Sequence, residues 1–303
     1  MKILSVIVFA VWFSAAPSGL LAEFQKANNW PRTTLSGTCP VAPLPWFTKA
    51  EAWAWDQVCL DRIAYMASVD ENDTRKRCHV DPKHASPFGN ALSARFLQVV
   101  NTHERFTDAL PVGLAGFYCA SVRGELALSY THIPHGLSLY GATLYDGISL
   151  RNAMVEGKLS LRNAEIGSIN LTQADIKHDL NLVSSSFNAV WLQSAKIGGD
   201  IRMFHAEGSR LKALDARISG SIFADGAQID DFSAERAQIG ESVHLRRGRE
   251  SRELSRPGIF RTVNLNGAEI GDSVQLHGSF FTGRVSLVDT VVRRQLVLLQ
   301  GAR

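Results

Sequence analysis

Internal periodicity constrains this chain more than any other feature of its sequence. From Ala120 to Thr290 a small residue recurs at every tenth or eleventh position, with one gap from Ala237 to Ala268. An aliphatic or aromatic residue follows two positions after nearly every copy, with Gly208 as an exception, and further apolar residues precede each copy by five and by three positions. Two successive intervals make a repeat of about 21 residues, which is typical of a solenoid whose repeats stack on their neighbours.

Each repeat contains four short pairs of inward-facing residues. Within a pair the apolar positions alternate with period 2, as in a strand that has one buried face. Glycines such as Gly147, Gly167 and Gly198 lie between pairs, and we expect them to adopt the left-handed conformation of a tight corner. The gap after Ala237 equals three of the usual intervals, which preserves the phase of the repeat. We therefore predict about nine stacked, four-faced turns of parallel β-helix over residues 113–303.

The small-x-aliphatic units resemble the pentapeptide-repeat family, whose unit is Ala-Asp/Asn-Leu followed by two variable residues. The match is best at residues 164–166, 174–176, 227–229, 237–239 and 268–270, and the resemblance covers the whole repeat region. It implies a mainly β fold, a right-handed parallel β-helix solenoid with a quadrilateral cross-section. The sequence departs from the family in its longer coil, in losing most of the middle Asp or Asn residues, and in its alternate Leu-x-Leu pairs. Hexapeptide left-handed helices and pectate-lyase-like helices are the alternative solenoids, and their periods fit less well.

The segment from Met1 to Ala22 has the pattern of a secretory signal peptide. Lys2 provides a positive start, Ile3–Phe13 is apolar, and cleavage is expected after Ala22. The apolar run is too short to span a bilayer, so we expect no transmembrane anchor. The protein is therefore predicted to be exported, either to a periplasm or out of the cell.

Residues 23–112 are expected to form a small α-helical domain that caps the open end of the β-helix. Thr48 and Glu51 have the spacing of a capping box and predict a helix that runs to about Ser68. Apolar residues at helical spacing predict a second helix over Ala91–Asn101, whereas the polar stretch Asp70–Lys83 reads as a loop. Without such a cap, the first coil would expose strand edges and an apolar cross-section.

Four cysteines precede or open the repeats. An even number of cysteines in an exported chain favours structural disulfides, and three pairings are possible. The spacings contain no Cys-x-x-Cys motif, which argues against a zinc site or a thioredoxin-like site. The candidate disulfide residues are Cys39, Cys59, Cys78 and Cys119.

An arginine-rich stretch interrupts the repeats near residue 250. Because guanidinium groups bind oxyanions with two parallel hydrogen bonds, this stretch is a candidate anion-binding bulge, and a solvated loop with local ion pairs is the alternative. Its candidate residues are Arg246, Arg247, Arg249, Arg252 and Arg256.

Other polar residues give weaker signals. His132 and His135 form an H-x-x-H pair for which the sequence places no third metal ligand. His178, His205, His244 and His277 are scattered over outward positions, and Asp225, Asp230 and Asp231 are interpreted as the polar exterior that a solenoid needs for solubility. The sequence contains no Gly-x-Ser-x-Gly, Walker or dinucleotide motif, so we predict no catalytic residues, no metal and no cofactor.

These observations favour a non-enzymatic, exported interaction scaffold that binds a protein or an envelope polymer through a coil face. A polysaccharide-binding or carbohydrate-active β-helix protein is the alternative, although outward aromatic residues such as Tyr130, Tyr140 and Tyr145 are few. The layout also resembles bacterial proteins in which a Trp-rich helical segment precedes such coils, and some of those carry an oxidoreductase label that no residue here supports.

Charge and the last repeat add two expectations about partners. The net charge of +3 is small, and the last coils are basic, unlike the acidic pentapeptide-repeat proteins that imitate duplex DNA, so nucleic acid is not an expected partner. Gln295–Leu299 is another apolar pair in phase with the repeats. We expect an open C-terminal coil that is covered by self-association or by residues of a longer relative.

Overall fold

The computed structural model describes residues 39–66, 78, 84–111, 113–249 and 255–298, all within one compact unit from Thr38 to Arg303. The predicted signal peptide lies outside the described residues, as does the predicted loop at 70–83 apart from Cys78. Short parallel strands dominate from residue 114 onward, which confirms the mainly β solenoid with coils of about 21 residues. About eight turns stack, rather than nine, because an inserted segment near position 250 leaves the coil.

Each coil has four faces, and strands on the same face of successive coils pair in parallel. The first face comprises Ala64–Tyr65, Leu114–Tyr118, Gly136–Ser138, Leu159–Ser160, Leu180–Asn181, Ile201–Arg202, Ile222–Phe223, Val243–His244, Ser273–Gln275 and Gln295–Val297. The fourth face comprises His132–Ile133, Met154–Val155, Asp175–Ile176, Lys196–Ile197, Arg217–Ile218, Gln238–Ile239, Glu269–Ile270 and Val291–Val292.

The second and third faces share one sheet. In the early coils they are separate strands, with Ala91–Ser93, Ser121–Arg123 and Thr143–Leu144 on the second face and Leu126–Ala127 and Ile148–Ser149 on the third. In the middle coils one strand serves both faces, at Glu165–Asn170, Ser186–Trp191, Glu207–Lys212, Gln228–Ser233 and Ile259–Asn264. The last coil separates them again into Phe280–Phe281 and Val285–Ser286.

The length of one corner explains why these two faces merge. Three residues separate the inward residues Leu144 and Ile148, whereas two separate Ile166 and Ile169. The shorter corner keeps the chain extended, so the strand continues from one face to the next. For the same reason the coil from Leu144 to Ile166 is one residue longer than the coil from Ile166 to Phe187.

The interior contains the apolar residues that the periodicity predicts. Leu180 and Leu182 are fully buried, as are their equivalents one coil later, Ile201 and Met203. Burying each such side chain stabilises the folded chain by about 1.5–3 kcal/mol relative to leaving it exposed to water. Gly208, which breaks the apolar pattern, pairs with Phe187 in the preceding coil, and a Cβ at Gly208 would lie 2.1 Å from that ring. The larger phenyl ring thus fills the space that the glycine leaves.

The left-handed corner residues are not the ones predicted. They directly precede the small inward residue, as at Asn152, Asn163 and Ser184, whose φ values are 53°, 57° and 55°. Of the corner glycines considered above, Gly147 does adopt a positive φ. Gly198 serves a different need, because a Cβ there would lie 2.1 Å from the backbone oxygen of the preceding coil. Close backbone approach between coils, rather than conformation, therefore excludes a side chain at this corner.

The residues that interrupt the repeat form an antiparallel hairpin from Gly248–Arg249 and Ser255–Arg256, with the tip outside the described residues. Ile218 pairs with Ile239 at the usual spacing of one coil, and Ile239 then pairs with Ile270 across the insertion. The extra residues are therefore inserted at one corner, and the phase of the coil is retained as predicted.

Among the described residues, three helices belong to the N-terminal part: Lys49–Cys59, Ala94–Thr102 and Glu104–Thr107. The predicted capping box at Thr48 is confirmed, with both reciprocal hydrogen bonds present. The first helix is shorter than predicted, since Asp61 adopts a left-handed conformation with φ 58° and the following Ala64–Tyr65 pairs with the first face. The second begins at Ala94 rather than Ala91, because the preceding three residues pair as a strand with the first coil.

The buried carboxylate of Glu51 connects the two longer helices. One oxygen accepts from the backbone N–H of Thr48 at 2.8 Å, while the other accepts from the backbone N–H and the hydroxyl of Ser93, at 2.9 and 2.5 Å. Thr48 and Ser93 are the N-caps of the two helices, so the negative charge lies where both helix dipoles are positive. Within the described residues, no helix has the length and apolar character needed to cross a membrane.

Candidate functional site

A cleft lies at the corner between the first and second faces, and we call it the corner cleft. Its volume is about 580 Å³, and it extends over successive coils and the start of the hairpin. It is lined by Phe204, His205, Asp225, Arg246, Arg247 and His277.

The repeat itself brings these residues together. Phe204, Asp225, Arg246 and His277 occupy the same position in successive coils, immediately after the last inward residue of the first face. Backbone hydrogen bonds connect the levels: the N–H of Gly226 donates to the oxygen of Arg246 at 2.8 Å, and the N–H of Arg247 donates to that of His277 at 3.2 Å. Side chains that lie far apart in the sequence therefore form one column along the corner.

Phe204 lines the corner cleft and packs against a group of rings on the adjoining first face. The rings of Phe204 and Phe223 stack with centroids 5.5 Å apart, and Phe223 lies 4.8 Å from the imidazole of His244. At the outward position of the first face that Phe223 and His244 occupy, earlier coils have Ser138, Ser160, Asn181 and Arg202. Stacked rings also occur in the first coils, where the centroids of Tyr118 and Tyr140 are 5.1 Å apart.

The base of the corner cleft contains a partly buried ion pair. Arg246 donates to both carboxylate oxygens of Asp225, with Nη2 to Oδ2 at 2.6 Å and Nε to Oδ1 at 3.1 Å, and its Nη1 donates to Gln275 at 3.0 Å. The Asp225 side chain is 8% exposed and that of Arg246 is 30% exposed. Bidentate pairing satisfies a carboxylate that burial would otherwise destabilise.

Three imidazoles reach this region with unsatisfied nitrogen atoms. The Nδ1 atoms of His205, His244 and His277 are buried and have no hydrogen-bond partner. Burial lowers the pKa of His244, and the nearby Arg246 lowers it further, while Asp225 and Asp272 oppose the change. The corner cleft thus combines the ring of Phe204, the Asp225–Arg246 ion pair and the imidazoles of His205 and His277, a composition suited to binding an oriented polar ligand.

The inserted hairpin forms the remaining wall. Gly248 is buried, and a Cβ there would lie 2.6 Å from Cε1 of His205 and 3.0 Å from the backbone oxygen of Asp225. Arg256, on the second strand of the hairpin, donates to Glu207 at 2.8 Å. Glu207 lies two coils before the point at which the hairpin leaves the solenoid. The hairpin therefore folds back across the corner toward the N-terminal end.

The five candidate arginines have different surroundings. Arg246 and Arg247 line the corner cleft, and Arg256 holds the hairpin in place through its ion pair. Arg249 is described only as part of its strand, and Arg252 lies outside the described residues. Anion binding by this group therefore stays a prediction, and the structure adds that Arg246 and Arg256 each have a carboxylate partner.

The corner cleft is not evident as a unit in the sequence. There, His205, His244 and His277 are separate outward residues, and Asp225 is interpreted as part of the polar exterior. The available signal was their spacing: Asp225 and Arg246 are 21 residues apart, and His277 follows Arg246 after one coil and the inserted hairpin. Using that signal requires knowing that the inserted residues leave the coil.

The other candidates lie elsewhere. His132 pairs with Glu156 at 3.0 Å, and a ring nitrogen of His135 bonds the backbone oxygen of Gly136. Within the described part of the chain, no group of three or more potential ligands could hold a metal ion. A second cleft, of about 510 Å³, lies where the short third helix meets the first coils; it is lined by Thr102, Glu104, Thr107, Asp108, Thr131, His132 and Pro134.

The four cysteines form two disulfides, Cys39–Cys59 and Cys78–Cys119, with sequence separations of 20 and 41. The first bridge ties the segment before the first helix to the end of that helix. The second joins Cys78 to Cys119, which directly follows the strand Leu114–Tyr118 of the first coil. These pairings select one of the three possibilities that the sequence left open.

At the opposite end, the last described coil exposes apolar residues that point inward in other coils. Leu296 and Leu298 are 48% and 56% exposed, whereas their equivalents one coil earlier, Val274 and Leu276, are 0% and 3% exposed. This end therefore presents an apolar surface together with strand edges.

Comparison with known proteins identifies no relative for the chain. No protein-family model matches it, and neither a curated protein nor a solved structure matches it.

Proposed function

We propose that the protein is an exported, non-enzymatic scaffold that binds an envelope polymer or a protein along a coil face, with the corner cleft as the principal contact. The observation that carries the proposal is the corner cleft itself, which brings together the ring of Phe204, the Asp225–Arg246 ion pair and the imidazoles of His205 and His277. Surrounding strands pair on both sides, and a rigid platform reduces the entropy cost of binding.

Two further parts of this proposal concern family and location. The inward pairs of a middle coil start at residues 159, 164, 169, 174 and 180, so three sides of five residues and one of six support a pentapeptide-repeat-like solenoid. Two disulfides are consistent with folding in an oxidising compartment, which supports export behind a signal peptide that ends at Ala22.

Retention on immobilised polymers tests the binding role. We expect the folded chain to be retained by at least one envelope polysaccharide or peptidoglycan fraction, and Phe223→Ser to weaken retention. Serine is suited to this position because Ser138 and Ser160 occupy it in earlier coils. Arg217→Ser, on the exposed fourth face, is the matched control and should be retained normally. Equal retention of both variants would contradict a role for the rings beside the corner cleft.

A carbohydrate-active protein is the second candidate, favoured by the ring column of Phe204, Phe223 and His244. A reducing-sugar assay over the same polymers separates the two candidates, because sustained turnover that Phe223→Ser abolishes would support the enzyme and overturn the scaffold. An oxidoreductase role rests only on the resemblance noted from the sequence layout, and no observation on the described residues favours it.

We also propose that the exposed C-terminal coil is covered by a second copy of the chain. Apolar side chains and unpaired strand edges at one end favour association end to end. Sedimentation velocity should therefore show dimers, and Leu296→Lys should shift the distribution to monomers. A stable monomer of the unmodified chain at high concentration would contradict this arrangement.

A further inference from the structure

One outward aromatic residue on the third face has no counterpart in the other described coils. Trp191 occupies an outward column of that face, between Asn170 in the preceding coil and Lys212 in the following coil. The remaining members of the column are small or polar: Ala127, Ser149, Ser233, Asn264 and Ser286. The coils with Ser or Asn at this position form the same strands, so packing does not require a ring there. Trp191 is partly exposed and is therefore a candidate contact residue.

Arg210 in the following coil supports the indole. Its Cζ atom lies 5.5 Å from the centroid of the Trp191 ring, a cation–π contact in which the guanidinium covers one side of the ring. Lys212 pairs instead with Asp231, with Nζ to Oδ2 at 2.6 Å. Among the described residues, no ring or cation contacts the other side of the indole. One side of the ring is therefore supported, and the other is available to a ligand.

Two primary amides beside the indole have their oxygen atoms occupied and their nitrogen atoms free. The Oδ1 atom of Asn170 accepts from the backbone N–H of Thr172 at 3.1 Å. The Oε1 atom of Gln193, which follows Trp191 by two residues and lies on the same face, accepts from the hydroxyl of Thr172 at 3.2 Å. These bonds fix the orientation of both amides. Within the described part of the chain neither NH2 group has a hydrogen-bond partner, so both present N–H donors from fixed positions.

Asn264 shows what such an amide does when the protein supplies a partner. It belongs to the same column as Asn170, and its Oδ1 atom likewise accepts from the backbone N–H two residues later, that of Asn266, at 3.0 Å. Its Nδ2 atom, however, donates to Glu235 at 3.2 Å. The oxygen therefore has a structural role in both coils, whereas the nitrogen is used by the protein only in the later one. At Asn170 the nitrogen is left for a partner outside the described chain.

We propose that Trp191, Asn170 and Gln193 form a binding site for a neutral glycan, which we call the indole site. The C–H groups on one side of a pyranose ring pack on the indole, and the hydroxyl and ring oxygens accept from the two amides. Neither contact removes a full charge from water, so an uncharged ligand binds without that penalty. The indole site goes beyond the proposed function, because the corner cleft lies on another part of the coil.

Arg210 keeps its charge, so an acidic glycan is the competing ligand of the same chemical class. The neutral glycan is favoured because Arg210 already lies on the indole and because the Lys212–Asp231 pair adds no net charge. Ring stacking and hydrogen bonds to amides depend little on salt, whereas binding of an acidic group through Arg210 would weaken as salt screens the charges. The salt dependence of binding therefore separates the two ligands.

Calorimetric titration of the full chain tests the proposal with cellohexaose, laminarihexaose and maltohexaose as neutral glycans and with oligogalacturonate as the acidic one. We expect at least one neutral hexasaccharide to bind, with a change in affinity of less than about twofold between about 0.05 M and about 0.5 M salt. Failure of all three to bind, or tighter binding of oligogalacturonate that salt weakens, would overturn the proposal.

Substitutions taken from other coils test the ring and the amide separately. Trp191→Asn introduces the residue that the preceding coil has in this column, so we expect a folded chain whose affinity falls about tenfold or more. Asn170→Ser introduces the residue found at Ser149 and removes the free NH2 group, which should weaken binding about three- to tenfold.

Asn264→Ser is the matched control for the amide. Both asparagine variants lose the same kind of bond from a backbone N–H, but Asn264 uses its nitrogen within the protein, so its variant should bind with unchanged affinity. Unchanged affinity of Trp191→Asn or Asn170→Ser, in chains that circular dichroism shows to be folded, would overturn the proposal. An equal loss of affinity in Asn264→Ser would do the same.

Two opposite patterns separate the indole site from the corner cleft. Phe223→Ser changes a ring beside the corner cleft and should leave hexasaccharide binding unchanged. Loss of binding in Phe223→Ser with full binding in Trp191→Asn would overturn the indole site while supporting the corner cleft. The reverse pattern would support the indole site and count against the corner cleft as the principal contact.

Discussion

Replacement of Asp225 by asparagine tests how strongly the ion pair beneath the corner cleft stabilises the fold. The substitution preserves side-chain volume and removes the charge that Arg246 contacts through Nε and Nη2 at 3.1 and 2.6 Å. Removing one partner of a fully buried pair costs about 3–5 kcal/mol. Because Arg246 is 30% exposed and keeps its bond to Gln275, solvent recovers part of that cost, and we expect a loss of about 2 kcal/mol in the free energy of unfolding.

Urea denaturation followed by circular dichroism measures this loss, and a double-mutant cycle with Arg246→Met isolates the pairwise term. The matched control lies at the opposite corner of the coil, between the third and fourth faces. Asp215 and Arg236 are also 21 residues apart and are also bidentate, at 2.8 and 2.9 Å, but their side chains are 46% and 53% exposed.

Burial is therefore the main difference between the two pairs. We expect a much smaller coupling for the exposed pair, and one that is reduced when the salt concentration is raised from about 0.1 M to about 1 M. Equal coupling energies in the two cycles would refute the reasoning that exclusion of solvent determines the strength of these bonds.

Three further predictions concern the scaffold. Thr48→Ala should lower the free energy of unfolding by about 1 kcal/mol through loss of the N-cap, and an unchanged urea midpoint would show that the cap is dispensable. Gly198→Ala should lower the free energy of unfolding by about 1–3 kcal/mol or more, because the added Cβ would lie 2.1 Å from a backbone oxygen. Thermal melting measures this loss, and an unchanged melting temperature would argue against the close contact. Replacing Cys78 and Cys119 by serine should cost about 4 kcal/mol, as expected for a separation of 41 residues, whereas equal stability of the reduced and oxidised chains would contradict it.

Histidine burial gives a fourth scaffold prediction, on pH. Burial lowers the pKa of His135, while its bond to the Gly136 oxygen opposes the change. The unfolded chain then binds the proton more readily than the folded one, so stability is lost as pH falls below the histidine value of about 6.5. Urea midpoints measured at several pH values should decrease on this acid side, and His135→Leu should flatten part of the decrease. A midpoint that rises on acidification would contradict the assigned direction.

The repeat architecture was predictable because its cause is local. The spacing of Leu180, Leu182 and Ile197 is set by period-2 strands and short corners, so any chain segment with this pattern buries the same residues. The cap at Thr48 was predictable for the same reason, since its partner Glu51 is three residues away. Elements that depend on distant partners were not predictable, as shown by Ala91–Ser93, which is a strand only because Ser121–Arg123 lies beside it.

The role of the corner glycines shows a second limit. The sequence predicts a left-handed corner at Gly198. In the structure a glycine is needed there because a Cβ would lie 2.1 Å from a backbone oxygen of the preceding coil. That requirement depends on how closely two coils approach each other, which no local pattern contains. The left-handed residues themselves, such as Asn163 and His205, have varied identities, because a single Asn, Ser or His can adopt this conformation at modest cost.

The sequence by itself determined that this chain is a solenoid of short, regular coils, and which residues point inward, because apolar periodicity and strand geometry act over a few residues. Tertiary structure alone decided the disulfide pairing and the corner cleft. His205, Asp225 and His277 become neighbours only when successive coils stack and the inserted hairpin leaves the coil. Residues that are one coil apart in the sequence, or one coil and the hairpin apart, lie at adjacent levels of one column once the coils stack. The proposed function lies on that column.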